Sequence, residues 1–452
     1  MNDTIAALST PSGESAIAAI RLSGSECRKI ASLALGAKTD TPARRMNYAF
    51  YRDLSGNKID DVTYCIFDSP ASYTGEDMLE IFTHGNPFIV RKILDDIIAR
   101  GIRGAQAGEF TLRAFLNNKM DLSQAEAVAR LISARSEASL NAARKQMSGG
   151  LSERIGEISS ALLDMRALIE AYIDFPDEDL PPSDTERLTA IAKNALAEMK
   201  RLTETSKYDA LIHDGINIVI AGAPNAGKSS LLNALTGKNR AIVSSTAGTT
   251  RDFIDDRLVI GDYTVNITDT AGIRSTENEI EAEGVRRACE KISNCDICLL
   301  VLDSTDDIPA LPNEVADTLS ETNCIVVANK TDLPTSDTKI MEQKFGNLNF
   351  IEISCTQSKG ILELRDSILS LIKKYHIRAS TDDVLAGARH ADALARASIS
   401  LSDALEKINL QEPPELASSD LCDALDALGE ILGKTDNEAV LDRIFSKFCI
   451  GK

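Results

Sequence analysis

No apolar run in this 452-residue chain approaches the roughly 20 residues that a helix needs to cross a bilayer, so a helical integral membrane protein is excluded. Residues Met1 to Ile5 lack a basic stretch leading into an apolar core, so no secretory signal is expected. The nine cysteines are scattered and form no metal-type set. Cys295 and Cys298 make one CxxC, but they open the apolar run 295–302, where strand alternation places them in a sheet rather than around a metal. Buried, reduced thiols of this kind fit a cytosolic location. Positive charge is scarce: 49 Lys and Arg stand against 68 Asp and Glu, a formal net charge of −19. Residues 1–118 carry 13 basic and 14 acidic side chains, so almost the whole deficit lies beyond them. This balance disfavours a broad phosphate-binding surface, and any nucleic-acid contact is expected to be local, nearer the N-terminal half or shared with a basic partner.

What the chain does have is a glycine loop in a telling place. The segment 222–229, of the form GxxxxGKS, lies between the apolar run 216–221 and an amphipathic run that begins at Ser230. Strand, glycine loop and helix in that order make a phosphate cradle, with loop amides and the helix N-terminus facing the phosphates. Asn225, Ala226, Gly227, Lys228, Ser229 and Ser230 would surround a nucleoside triphosphate. Lys228 would reach the β- and γ-phosphates and Ser229 would offer a hydroxyl to Mg²⁺.

The base is read further along. The apolar run 324–328 leads into Asn329, Lys330, Thr331 and Asp332. A carboxylate there can accept from the N1–H and exocyclic amine of guanine, a donor pair that adenine lacks. The next strand-like run, 350–355, brings Ser354 and Cys355 to the base side, so the nucleotide is expected to be GTP. The alternating run 263–268 delivers Asp269, Thr270, Ala271 and Gly272, where the carboxylate can serve the Mg²⁺ shell and the glycine amide can sense the γ-phosphate. The polar stretch Ser244, Ser245, Thr246, Ala247, Gly248, Thr249 and Thr250 precedes it, and Thr250 is the expected second Mg²⁺ ligand. After Gly272 stands Ile273, where a water-orienting glutamine is common in such switches. Turnover is therefore either very slow or assisted from elsewhere, and the following carboxylates Glu277, Glu279, Glu281 and Glu283 are either that help or an ordinary solvated helix start.

Periodicity divides the rest. Residues 1–118 mix strand-like runs (16–21, 61–67) with the amphipathic run 88–98, an α+β domain. Leu151, Ile155, Ile158, Leu162, Met165, Ile169 and Tyr172 then draw one helical stripe. Prolines at 181–182 and 413–414 punctuate further helical patterning. The expected fold class is multidomain α+β and α/β: an N-terminal α+β domain (1–118), a discontinuous all-α domain (119–213 and 377–452), and an inserted Ras-like α/β P-loop GTPase domain (214–376).

Taken together, the phosphate-loop run 222–233, the segment 241–252, the block 73–80 with His84 and Gly85, and the C-terminal Phe448-Cys-Ile-Gly-Lys452 resemble the MnmE family, also called TrmE, of tRNA-modification GTPases. The resemblance covers the whole chain. It implies K⁺ beside the phosphates in place of an arginine finger, bound by Asn225, Ser244, Thr246 and Thr249. It also implies that Glu281 positions the attacking water. Arg21, Glu80, Lys119 and Lys452 would bind 5-formyl- or 5,10-methylene-tetrahydrofolate as one-carbon donor. The implied partners are tRNA, a second copy in a homodimer formed through residues 1–118, the folate-binding and dimerisation domain, and the flavoprotein MnmG, which carries FAD and completes a heterotetramer. The implied activity is installation of an aminomethyl or carboxymethylaminomethyl group at C5 of a wobble uridine. The alternative is a GTP-dependent switch or ribosome-assembly factor, which has no need of folate. Cys449, flanked by Phe448 and Ile450, is expected to be buried packing rather than a nucleophile.

Overall fold

The computed structural model describes residues 3–174, 182–237, 256–269, 290–308, 318–334, 338–376, 384–434, 438–446 and 448–451. Its contacts divide the chain into two units, one of Met1–Ala129, Gln146–Leu196 and Arg396–Lys452, the other of Arg130–Lys145 and Ala197–Ala395.

The first unit contains a six-stranded sheet made of β1 (Ile5–Leu8), β2 (Ser15–Ser23), β3 (Asn47–Arg52), β4 (Lys58–Phe67), β5 (Met78–Gly85) and β6 (Arg103–Gly104), in the order β3-β4-β5-β2-β1-β6. Neighbours are antiparallel except β1 and β6. Alternation sends Ala18, Ile20 and Leu22 of β2, with Leu79 and Ile81 of β5, to one face, where they are buried with Ile30 and Ile93 of the helices Cys27–Leu35 and Pro87–Ala99. The second of these helices starts sharply because the Asn86 side chain accepts from the amides of Phe88 (2.9 Å) and Ile89 (3.4 Å), and Pro87 occupies the first turn, where an N–H would go unused. In the helix Gly150–Asp174, the stripe residues Leu151, Ile155, Ile158, Leu162, Met165 and Ile169 are all buried. This helix packs on Pro414–Leu432, and Ser418 donates to Glu170 at 2.7 Å.

The second unit holds a sheet of β7 (Ile216–Ala221), β8 (Asp256–Ile260), β9 (Tyr263–Asp269), β10 (Ile297–Asp303), β11 (Cys324–Asn329) and β12 (Asn349–Glu352), in the order β12-β11-β10-β7-β9-β8. Only β8 and β9 run antiparallel. Because both faces are covered, β10 and β11 read as continuous apolar runs rather than alternating ones. The helices Lys228–Thr236 and Ile361–Leu371 contribute to the core on one face. Met341 of Lys339–Phe345 joins the core on the other. Of the CxxC, Cys298 lies inside β10 in register with Cys324, whereas Cys295 precedes the strand and its thiol meets the Ile292 carbonyl at 3.2 Å. The strand thus starts two residues later than its apolar run, and both cysteines are free. The chain leaves β7 and β11 at the carboxyl edge of the sheet, where ligands collect in open α/β folds.

Candidate functional site

The loop after β7 is shaped by glycines that nothing else could replace. Gly222 has φ 151°, and a Cβ on it would lie 2.2 Å from the Val301 carbonyl oxygen of β10. Gly227 has φ 98°, and its Cβ would lie 2.1 Å from Asn329 Nδ2. Between them Asn225 takes the left-handed conformation at φ 64° and is exposed. Lys228 is buried and folds back so that Nζ donates to the carbonyls of Gly222 (2.9 Å) and Ala223 (2.8 Å). Gly227 caps the following helix and offers it no side chain. A helix N-terminus with no side-chain cap and an ammonium held over the loop together suit a phosphate chain. Ser229 and Ser230 are exposed in the first helical turn, and Asp269 at the end of β9 stands in register with Ile220 of β7. The Ser229 hydroxyl is a hard oxygen donor of the kind that Mg²⁺ takes and Asp269 is a residue of the same donor chemistry, so the residue types here fit the ion.

Asn329 joins the phosphate side to the base side. Its Nδ2 donates to the Ala226 carbonyl at 2.9 Å, its Oδ1 accepts from the Cys355 amide at 3.3 Å, and it is 3% exposed. The sequence marks Asn329 only as part of a base-reading tetrapeptide; in the structure it ties three loops together. Lys330, left-handed at φ 67°, pairs with Asp303 at 2.5 Å. Asp332 accepts from Thr356 Oγ1 at 3.1 Å, and the Ser354 hydroxyl, with that of Thr356, holds its carboxyl below the usual range. Asp332 is therefore an ionised acceptor at neutral pH, as recognition of two guanine donors requires. Ser354 is fully buried, and the half-buried Cys355 has its thiol pushed up by desolvation. Asp303 and Thr356 escaped sequence reasoning, since neither lies in a recognisable motif. Ser244, Ser245, Thr246, Ala247, Gly248, Thr249, Thr250, Thr270, Ala271, Gly272, Ile273 and Glu281 lie outside the described residues.

In the first unit, Arg21 and Glu80 are cross-strand partners, bonded through Nε at 2.9 Å and a terminal nitrogen at 2.7 Å. The guanidinium lies 5.5 Å from the Tyr73 ring centroid and 5.8 Å from that of Phe110. Lys119 donates to the Pro70 carbonyl at 3.1 Å, in the loop that carries Tyr73. The C-terminal segment comes to the same sheet: Ser9 donates to the Gly451 carbonyl at 3.1 Å, and Ala7, two residues before Ser9, is the β1 partner of Arg21. Lys452 lies outside the described residues. Cys449 departs from expectation: it is exposed and follows the end of the last helix, because the chain has left the helical stripe at Phe445 and turns toward β1. Arg113 is another residue that the sequence leaves unmarked. It is 1% exposed and pairs with Glu76 (3.0 Å), Glu109 (3.0 Å) and Asp3 (2.9 Å), a knot under the N-terminal strand.

Among the described residues no cluster of three or more His, Cys, Asp or Glu could hold a metal, and no helix is long and apolar enough to cross a membrane.

Comparison with known proteins accounts for the whole length. Residues 4–119 match the family profile described as the GTP-binding protein TrmE N-terminus, and residues 122–449 match that of the MnmE helical domain. The tRNA modification GTPase MnmE of Opitutus terrae is 45% identical over 454 residues, covering 100% of this chain and 99% of the relative. The proteins of the same name from Alkaliphilus metalliredigens and Aquifex aeolicus are each 38% identical, with 100% of both chains covered.

Proposed function

The chain belongs to the MnmE (TrmE) family of tRNA modification GTPases, and from that premise we propose that it hydrolyses GTP, stimulated by K⁺, to drive modification of the wobble uridine of certain tRNAs in the cytosol. The observation that carries the GTPase part is the pair of hydrogen bonds from the Asn329 side chain, one to the phosphate loop and one to the base-side loop, which makes one continuous nucleotide seat of three separate segments. In this reading Lys228 leaves its loop carbonyls for the β- and γ-phosphates and neutralises charge that grows toward the transition state. Asp332 selects guanine. Ser229 and Thr250 would hold Mg²⁺, with Asp269 in its outer shell, and the exposed Asn225 with Ser244, Thr246 and Thr249 would hold K⁺. Bound there, the two cations would supply positive charge to the phosphates. Glu281 would orient the attacking water, the duty that Ile273 cannot perform.

The first unit would bring the one-carbon donor, 5-formyl- or 5,10-methylene-tetrahydrofolate, to Arg21, Glu80, Lys119 and Lys452. Support comes from the C-terminal segment lying beside the β1 partner of Arg21 and from the two rings under the guanidinium, a setting for a flat conjugated ligand. The reading includes a homodimer and a complex with the flavoprotein MnmG, which holds FAD, so that C5 of the uridine receives an aminomethyl or carboxymethylaminomethyl group. Single-turnover GTP hydrolysis in K⁺ and in Na⁺ tests the hydrolytic half. The parent should be faster in K⁺, and Glu281→Ala should bind nucleotide yet lose about 10²–10⁴ in rate. A rate indifferent to the cation, or a Glu281→Ala enzyme as fast as the parent, would overturn it.

A further inference from the structure

Resting on the reading that the loop after β7 seats GTP, we propose that Asp209 is a positioning residue that passes occupancy of that loop to the two chain crossings bounding the GTPase domain, by exchanging its partner Arg130 for His213. The chain enters the sheet from the helix Ser206–Asp214 through Gly215 into β7, and it returns through Ala386 and Gly387 to the helix Ala388–Leu410. Both crossings meet inside the second unit. The Ala386 amide donates to Thr205 Oγ1 at 2.9 Å, and both residues are buried. Arg130, near the end of the helix Leu122–Ser133, donates through both terminal nitrogens to the two oxygens of Asp209, at 2.5 and 3.0 Å. A Cβ on Gly387 would lie 2.6 Å from an Arg130 nitrogen and 3.2 Å from an Asp209 oxygen, so the ion pair sits directly against the returning chain.

One carboxylate here has two groups within reach. The Asp209 side chain is 6% exposed, so its charge needs a partner in any state of the protein. His213, one turn further along the same helix, has its Nε2 3.6 Å from Asp209 Oδ1, and that buried nitrogen carries no hydrogen bond. Burial, and then the Arg130 charge, hold the ring below the usual histidine range, while Asp209 and Asp214 act to raise it, so the imidazole is neutral at pH 7 and can donate from Nε2. A slight rotation of the helix closes the gap to His213 and opens the Arg130 fork. Two discrete pairings of one buried group make the kind of two-state element that couples sites. The nucleotide can bias it, because β7 joins Gly215 to Gly222 through six residues, roughly 20 Å of stiff strand, and a shift of the loop around phosphates arrives at the helix end. β9, which ends at Asp269, is tied to the same point: Asn266 Nδ2 donates to the Asp214 carbonyl at 3.0 Å and to Asn217 Oδ1 at 3.1 Å.

Hydrogen exchange read by mass spectrometry, on the full chain with and without a non-hydrolysable GTP analogue in K⁺ and Mg²⁺, tests the swap of partners. In the parent the analogue should speed exchange of the peptide that holds Ala386 and Gly387 by about 5- to 150-fold, the range of ordinary coupling between sites. His213→Phe leaves Asp209 no second partner and should hold that peptide slow with the analogue bound. Asp209→Asn gives up the charge that grips Arg130 and should make it fast with or without nucleotide. Opposite responses from two neighbours on one helix are not what a merely structural role produces. Slow exchange in β10 and β11 should persist in all three proteins, showing intact folding. A parent whose 386–387 peptide ignores the analogue, or a His213→Phe variant that responds as the parent does, overturns the proposal and leaves the GTP reading in place. The GTP reading fails separately, if calorimetry shows no analogue binding to the parent, and this inference falls with it.

Discussion

Asn329→Ala should act on every nucleotide alike, because the side chain holds loops rather than a base. The substitution removes two neutral hydrogen bonds and leaves the Ala226 carbonyl and the Cys355 amide without that partner in a site where Asn329 itself is 3% exposed. At about 1 kcal/mol for each bond, and up to 1–3 for a buried group left bare, a loss of about 2–3 kcal/mol is expected. If the seat forms fully only around the nucleotide, that loss falls on binding, about 30- to 150-fold. Asp332→Asn differs in kind: it exchanges an acceptor for a donor and should move preference from GTP to xanthosine triphosphate. Titration calorimetry with both nucleotides, on Asn329→Ala, Asp332→Asn and the double variant, separates the roles. The double variant should lose xanthosine triphosphate by the same factor that Asn329→Ala loses GTP. Parental GTP affinity in Asn329→Ala, or a double variant that binds xanthosine triphosphate as Asp332→Asn does, refutes the reasoning.

Folate binding should be separable from GTP turnover: Arg21→Ala or Glu80→Ala should abolish the heat of 5-formyltetrahydrofolate binding and leave hydrolysis intact, since the two sets of residues fall in different units. No folate heat from the parent would favour a pure GTP switch. Acid should weaken the N-terminal sheet. For Asp60 and Glu109 burial works to raise the carboxyl, but Thr83 and the His84 amide around Asp60, and Arg103 with the Gln106 amide around Glu109, outweigh it and hold both below ordinary values. Groups depressed on folding contribute stability above the unfolded pKa, about 4, and lose it as pH falls through the lower folded value. The difference in denaturant midpoint between the parent and Asp60→Asn should therefore be smaller at pH 3.5 than at pH 7; an equal gap at both would contradict this.

The elements were legible wherever one periodicity dominated. The six aliphatic residues from Leu151 to Ile169 are buried as their spacing requires, and β7 spans the residues of its apolar run. The phosphate loop was equally plain, because GxxxxGKS is local in sequence and its chemistry needs adjacent residues. What the sequence hid is long-range. Asn329 meets Ala226 across 103 residues, and Arg113 meets Asp3 across 110, so no window of the chain displays either contact. Cys449 was misjudged for a related reason: its apolar neighbours Phe448 and Ile450 suggest a helix face, but the helix ends at Phe445 and Ile450 is 63% exposed.

The most direct test of the central claim is mass spectrometry of wobble-uridine nucleosides in tRNA from cells that lack this protein, complemented with the parent chain or with Lys228→Ala. The account expects the aminomethyl-type group at C5 to vanish on deletion, to return with the parent, and to stay absent with Lys228→Ala. Unchanged nucleosides on deletion would contradict it, whatever the chain does with GTP.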